Sequence, residues 1–129
     1  MKVVDTTSVE SIAEFCIWNG DGIYSMDAFP DLVKALEAHI SYNTLLVLTD
    51  KGGISVLCRW DLSEDGKTAK IIDFIIKPEY RDRKIIRSVL LYGLSMFPSV
   101  KTLSYDKFKG GRVVRKSLHS VDKLLKRRI

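Results

Sequence analysis

The chain has 129 residues, 46% of them hydrophobic and 29% charged, with 8 Gly and 3 Pro. That length suits one domain, and the composition excludes a disordered, collagen-like or low-complexity chain. The net charge of +5 conceals a split: residues 1–65 hold 4 Lys and Arg against 11 Asp and Glu, and residues 66–129 hold 17 against 5. A basic half attracts polyanions such as nucleic acid, anionic lipid or a phosphate-bearing cofactor, unless it is a solvated face partly neutralised by the acidic half. The longest mostly apolar run, residues 89–97, is far short of the ~20 residues of a membrane helix. Residues 1–5 show no apolar signal segment. Cys16 and Cys58 make no disulfide framework, so a reduced cytoplasmic setting is expected.

In chain order, Lys2 to Val4 reads as a short strand, and Thr7-Ser8-Val9-Glu10 as a capping box with Thr7 at the cap. Val9, Ile12, Ala13, Cys16 and Ile17 then recur at helical spacing, which places Cys16 in the core, and residues 19–22 (Asn-Gly-Asp-Gly) stop the helix. A second helix starts near Asp27 to Pro30, with Pro30 in its first turn. His39 lies near its end, where the helix dipole favours a charged imidazole. The period then shortens. Strands are expected over 45–49, 54–61 and 69–77, separated by polar turns and forming an antiparallel meander. The third carries Ile71, Ile72, Phe74, Ile75 and Ile76. It is apolar on both faces and should lie centrally, between helices.

After Pro78 a polar stretch leads into a helix whose apolar face is Ile85, Ile86, Val89, Leu90, Gly93, Leu94 and Phe97, ended by Pro98. A strand over 100–105 follows, parallel to the one before the helix because a strand–helix–strand unit makes a crossover. From Lys101 onward there are 10 Lys and Arg against 2 Asp and Glu. Residues 107–112 read as a flexible basic stretch, and Ser120 as the cap of a last short helix with Val121, Leu124 and Leu125 facing the body. The expected fold is a three-layer α/β domain, with a mixed, mostly antiparallel sheet and helices on both faces. Residues 1–108 form the domain, and 109–129 a basic extension packed on it.

The segment from Ile71 to Leu91 is the most informative. A buried strand ends in Pro, and a loop rich in Arg and Lys runs straight into a helix. A helix start presents unpaired N–H groups and the positive end of a dipole, so it binds phosphates. Arg81, Arg83, Lys84 and Arg87 add charge at the same place.

This order and this segment resemble the GNAT superfamily of acetyl-CoA-dependent N-acyltransferases. Ile76-Lys77-Pro78-Glu79-Tyr80-Arg81 is similar to the family's apolar-x-Pro-x-x-Arg/Gln pattern. Arg81 to Ile86 occupies its Arg/Gln-x-x-Gly-x-Gly/Ala turn, with Lys84 and Ile86 at the two glycine positions. Lys84 offers a charge in place of a close backbone contact, and Ile86 either crowds the pyrophosphate or turns into the core. Small phage-encoded members are similar in having a basic, glycine-poor turn.

The resemblance implies acetyl-CoA as cofactor. Arg81, Asp82, Arg83, Lys84, Ile85, Ile86 and Arg87 would lie at its pyrophosphate. Phe74, Ile75 and Ile76 would offer backbone groups to the pantetheine arm and the acetyl carbonyl. At the family's catalytic carboxylate position this chain has Lys70, which leaves Asp73 as the candidate base. Asp73 falls on the opposite face from Lys70 unless a bulge intervenes, and it has a second reading as the ion-pair partner of Arg59 or another basic residue. Tyr105 is the candidate acid, or a packing residue at the rim. The implied partner is a small-molecule or peptide amine. The alternative is an inactive relative that binds nucleic acid or protein through its basic half, with Phe108 and Tyr105 stacking on bases. Two His and two Cys, widely spaced, give no zinc signature, and no serine sits in a nucleophile elbow.

Overall fold

The computed structural model describes residues 2–3, 8–109 and 112–120. Six strands form one sheet in chain order: β1 (Lys2–Val3), β2 (Leu45–Asp50), β3 (Gly53–Leu62), β4 (Thr68–Ile76), β5 (Thr102–Lys109) and β6 (Arg112–Ser120). All neighbours are antiparallel except β4 and β5, which run parallel across the helical connection. Helices α1 (Val9–Asn19) and α2 (Phe29–Ser41) cover one face and α3 (Arg83–Met96) the other.

Each helix begins where local chemistry allows. The α1 cap is Ser8, whose hydroxyl accepts from the Ser11 N–H at 3.2 Å; the expected cap, Thr7, lies outside the described residues. At the other end, a side chain on Gly20 would run into the Cys16 carbonyl. Asp21 and Gly22 then take positive φ, and the chain leaves the helix axis. Pro30 sits in the first turn of α2. His39 differs from expectation. Burial, followed by the charge of Arg59, pushes its pKa down, and Nδ1 lies 2.8 Å from the Thr44 hydroxyl. Desolvation and a neighbouring cation both disfavour the charged imidazole.

The sheet divides two cores. Val47, Leu57 and Ile75 pack with Ile12, Cys16 and Leu36 under α1 and α2. Val56, Cys58, Trp60 and Ile76 pack with Val89 and Leu103 under α3, where the Trp60 and Phe97 rings meet edge to face, 5.8 Å apart. A cavity of about 30 Å³ remains between α3 and the sheet, with Trp60, Gly93 and Leu103 in its wall. A Cβ on Gly93 would lie 4.0 Å from the Trp60 ring, an ordinary contact. Gly93→Ala is therefore expected to stabilise the protein by about 1 kcal/mol, through helix propensity and a filled gap. A melting temperature that falls would show α3 to be already tightly packed against Trp60.

Residues 112–120, read from sequence as part of a tail, form β6 and pair with β5 from Lys109↔Arg112 to Thr102↔Ser120. An open β5 edge needs a partner for its backbone groups, and the following segment supplies it. The sequence signal for this hairpin is the pair Gly110-Gly111 between two strand-forming stretches. Residues 107–109 and 112, expected in a flexible stretch, lie in these strands. The helix expected after Ser120 falls outside the described residues. Among the described residues no helix is long and apolar enough to cross a membrane.

Candidate functional site

Strands β4 and β5 pair only from Thr68↔Thr102 to Ile71↔Tyr105. Beyond that point β5 continues with β6 and β4 with β3, so the two parallel strands part. The divergence starts at a bulge. Arg59 pairs with Asp73 but Trp60 with Ile71, which leaves Ile72 as the extra residue of β4. Lys77 N–H donates to the Ser55 carbonyl at 2.9 Å. By alternation along the ladder, Ile75 then turns its backbone groups to β3, whereas Phe74 and Ile76 turn theirs to the open edge. Of the three residues expected to offer backbone groups, two face the gap.

The bulge also decides the place of Asp73. Ala69 and Ile71 belong to the core under α3, so Lys70 projects to the opposite face. The extra residue brings Asp73 to that same face, where it is buried. Arg59 Nε donates to its carboxylate at 2.8 Å, and a second guanidinium nitrogen lies at 2.7 Å. Tyr24, in the α1–α2 connection, places its hydroxyl 2.7 and 2.8 Å from the two carboxylate oxygens and accepts from Arg59 at 2.9 Å. Burial, with the hydrogen bond to Asp73, pushes the Tyr24 pKa up, so the phenol stays neutral. The Arg59 pairing weighed from sequence is present. Tyr24 carried no sequence signal, because it meets Asp73 across a separation of 49 residues. Both oxygens of the carboxylate are engaged, one by Tyr24 and the other by Tyr24 and Arg59.

Tyr105 is elsewhere. It alternates with Leu103, a member of the core under α3, so it lies on the α3 face of β5 while Asp73 lies on the α1–α2 face. The structure does not bring the two candidate proton-transfer residues together.

The loop after β4 is a single 3-10 turn, Pro78–Tyr80, tied to the end of β2 by the Tyr80 hydroxyl on the Asp50 carboxylate. That hydroxyl, and then the Gly52 N–H, hold the Asp50 pKa below the usual range. Arg81 turns back into the protein. It donates to the Ile76 carbonyl at 2.9 Å, and its outer nitrogen lies 3.4 Å from both the Asn19 carbonyl and Asp21. It therefore buttresses the turn against the end of α1.

Asp82 is the N-cap of α3 and accepts from Lys84 N–H at 2.7 Å and Ile85 N–H at 3.0 Å. Lys84 and Arg87 are exposed and Ile85 packs against the sheet. Ile86, read as part of the apolar helix face, is 38% exposed and does not turn into the core. The Arg83 side chain lies outside the described residues. Among the described residues, no group of three His, Cys, Asp or Glu could hold a metal ion.

By sequence, no protein-family model and no curated protein matches the chain. By structure it is similar to a predicted acetyltransferase from Clostridium acetobutylicum with acetyl-CoA, at 12% identity, 86% and 82% coverage of the two chains and a TM-score of 0.65. It is also similar to the SpeG spermidine N-acetyltransferase chimera from Vibrio cholerae and hSSAT, at 15% identity, 96% and 98% coverage and a TM-score of 0.64. This chain has the GNAT fold. A third solved structure, the GphF GNAT-like decarboxylase in complex with isobutyryl-CoA, matches at 10% identity, 85% and 67% coverage and a TM-score of 0.61. The GNAT fold therefore hosts more than one reaction, and activity must be argued from the site.

A CoA-type ligand needs a strand edge with free peptide groups and, beyond it, donors for a diphosphate. The open edge of β4 meets the first need at Phe74 and at the Ile76 N–H, whereas the Ile76 carbonyl is taken by Arg81. For the second, the helix start and the exposed Lys84 and Arg87 are in place, but two of the helix N–H groups are held by the chain's own Asp82.

Proposed function

We propose that this protein is an acyl-CoA-dependent N-acyltransferase that moves an acetyl group to an amine. The observation that carries this reading is the open β4 edge beside the bulge, running directly into the basic start of α3. Acetyl-CoA, when bound, supplies an acyl thioester that an amine can attack. The backbone groups of Phe74 and the N–H of Ile76, whose carbonyl Arg81 holds, bind the pantetheine arm and polarise the acyl carbonyl, with Ile75 keeping the strand in register between them. Arg83, Lys84 and Arg87 hold the phosphates by charge, Ile85 seats the helix and Arg81 braces the turn. Asp73 takes the proton of the acceptor when Tyr24 or Arg59 yields one of its hydrogen bonds, and Tyr105 is the candidate acid from the other face. The acidic surplus of the first half draws a cationic amine to the α1–α2 side. In this reading the catalytic unit includes the strand β6 that completes the sheet beside β5. Two free, buried thiols suit a reducing, cytoplasmic setting.

Calorimetric titration with acetyl-CoA tests the proposal, with free CoA and a DNA oligonucleotide in parallel. Micromolar binding of acetyl-CoA, about −8 kcal/mol, is expected. Lys84→Glu should weaken it about tenfold, or about 1.4 kcal/mol. No heat at millimolar ligand would overturn the reading, and salt-sensitive DNA binding would then favour a nucleic-acid partner for the basic half.

A further inference from the structure

We infer that the connection between α1 and α2 is a lid closed over Asp73, and that the Tyr24 hydroxyl is the bolt an acceptor amine displaces. Resting on the acyl-transfer reading above, the lid adds to it the contact that keeps the acceptor out. The hydroxyl lies 2.7 and 2.8 Å from the two oxygens of Asp73 and accepts from Arg59 at 2.9 Å. A carboxylate only accepts hydrogen bonds, so whatever takes the place of the phenol must bring its own N–H or O–H groups. A primary amine does. Two donors cannot occupy one position, so the amine docks on Asp73 only after the phenol has left.

Of the two partners of Asp73, Tyr24 is the one that can leave. Arg59 stands on β3 between two paired strands, its side chain is 7% exposed, and withdrawing it would strand two buried charges. Tyr24 is a neutral phenol, and its departure leaves the ion pair intact. The chain around it is free to swing. Asp21 and Gly22 take positive φ just ahead of it. The bonds from Ile23 N–H to the Gly20 carbonyl and from Ala28 N–H to the Ser25 carbonyl close turns within the connection itself. Ile23 and Met26 are 59% and 62% exposed, so they add little burial that would hold the segment down. Arg81 ties only the near end, at Asn19 and Asp21. The Tyr24 ring packs against the core under α1 and α2, which makes the closed form the resting one.

Amide hydrogen exchange on the full chain separates opening of residues 20–28 from unfolding of β3 and β4. The connection should exchange faster than the two strands, and propylammonium chloride should speed it in proportion to concentration, as a ligand of the open form does, without speeding the strands. Tetramethylammonium chloride carries the charge but no N–H, and should do neither. Calorimetric titration with propylammonium should show about tenfold tighter binding in Tyr24→Phe, which keeps the ring and removes the bolt. A merely structural hydroxyl would give no such gain. If Tyr24→Phe does not fold, exchange of the original protein carries the test. Exchange of 20–28 only together with β3 and β4, an equal response to both salts, or no response to propylammonium overturns the lid. Where acetyl-CoA still binds, the acyl-transfer reading then stands without it. A responsive connection in a protein that binds no acetyl-CoA keeps the lid over an amine site and overturns the acyl-transfer reading.

Discussion

Asp73→Asn is expected to lower the unfolding free energy by about 3–5 kcal/mol, measured by urea denaturation at neutral pH. The Arg59 and Asp73 side chains are 7% and 4% exposed, and their atoms lie 2.7 Å apart. Taking two charges out of water is costly, and the mutual attraction offsets that cost only while both are present. Asparagine keeps the shape and leaves the guanidinium buried without its counter-charge. The size of the effect therefore comes from stranding Arg59 rather than from the net worth of the pair. A double variant, Arg59→Leu with Asp73→Leu, should recover most of the loss, since no charge is left behind. Tyr24→Phe should cost less, about 1.5–3 kcal/mol, the scale of a hydrogen bond to a charged group. An Asp73→Asn loss below about 1 kcal/mol would mean that water reaches the pair.

A steep loss of stability in mild alkali is the second large effect. Burial pushes both thiols, Cys16 and Cys58, from 9.0 to about 12, with the charge of Asp73 adding to the shift. A group whose folded pKa is raised contributes stability that is complete below its unfolded pKa and is lost as pH rises towards the folded value. The window is thus pH 9 to about 12, where the unfolded chain releases protons that the folded chain keeps. Each thiol removes up to about 1.4 kcal/mol per pH unit there. Against a total of about 5–15 kcal/mol for a domain, two such groups are decisive. Tyr24, also raised, steepens the fall at higher pH. Urea midpoints at pH 8, 9 and 10 measure it, and Cys16→Ala with Cys58→Ala should flatten the slope between pH 9 and 10. An unchanged slope would place its origin in other groups.

The two predictions draw on parts of the molecule that differ in how they could be known. The burial of Cys16 follows from helical spacing, because side chains three and four residues apart share a face whatever they pack on. The pairing of Asp73 with Arg59 was one of two readings, and no sequence feature chose between them. The choice was made by the bulge at Ile72, which moves every later side chain of β4 to the other face. Asp82 is a different case. An aspartate immediately before a helix is a capping signal, and Asp82 caps α3 among the basic residues of the same turn.

The order of helices and strands, the meander, the central place of β4 and the basic loop into α3 are all legible in the chain. These rest on periodicity, turn residues and breakers such as Pro78 and Pro98, interactions that act within a few residues. Tertiary structure alone decided the meeting of Tyr24 with Asp73, the outward turn of Ile86, the parting of β4 from β5 and the recruitment of residues 112–120 as an edge strand. Each of these depends on which groups distant in the chain are left without a partner when the layers close, and that follows from the packed arrangement as a whole.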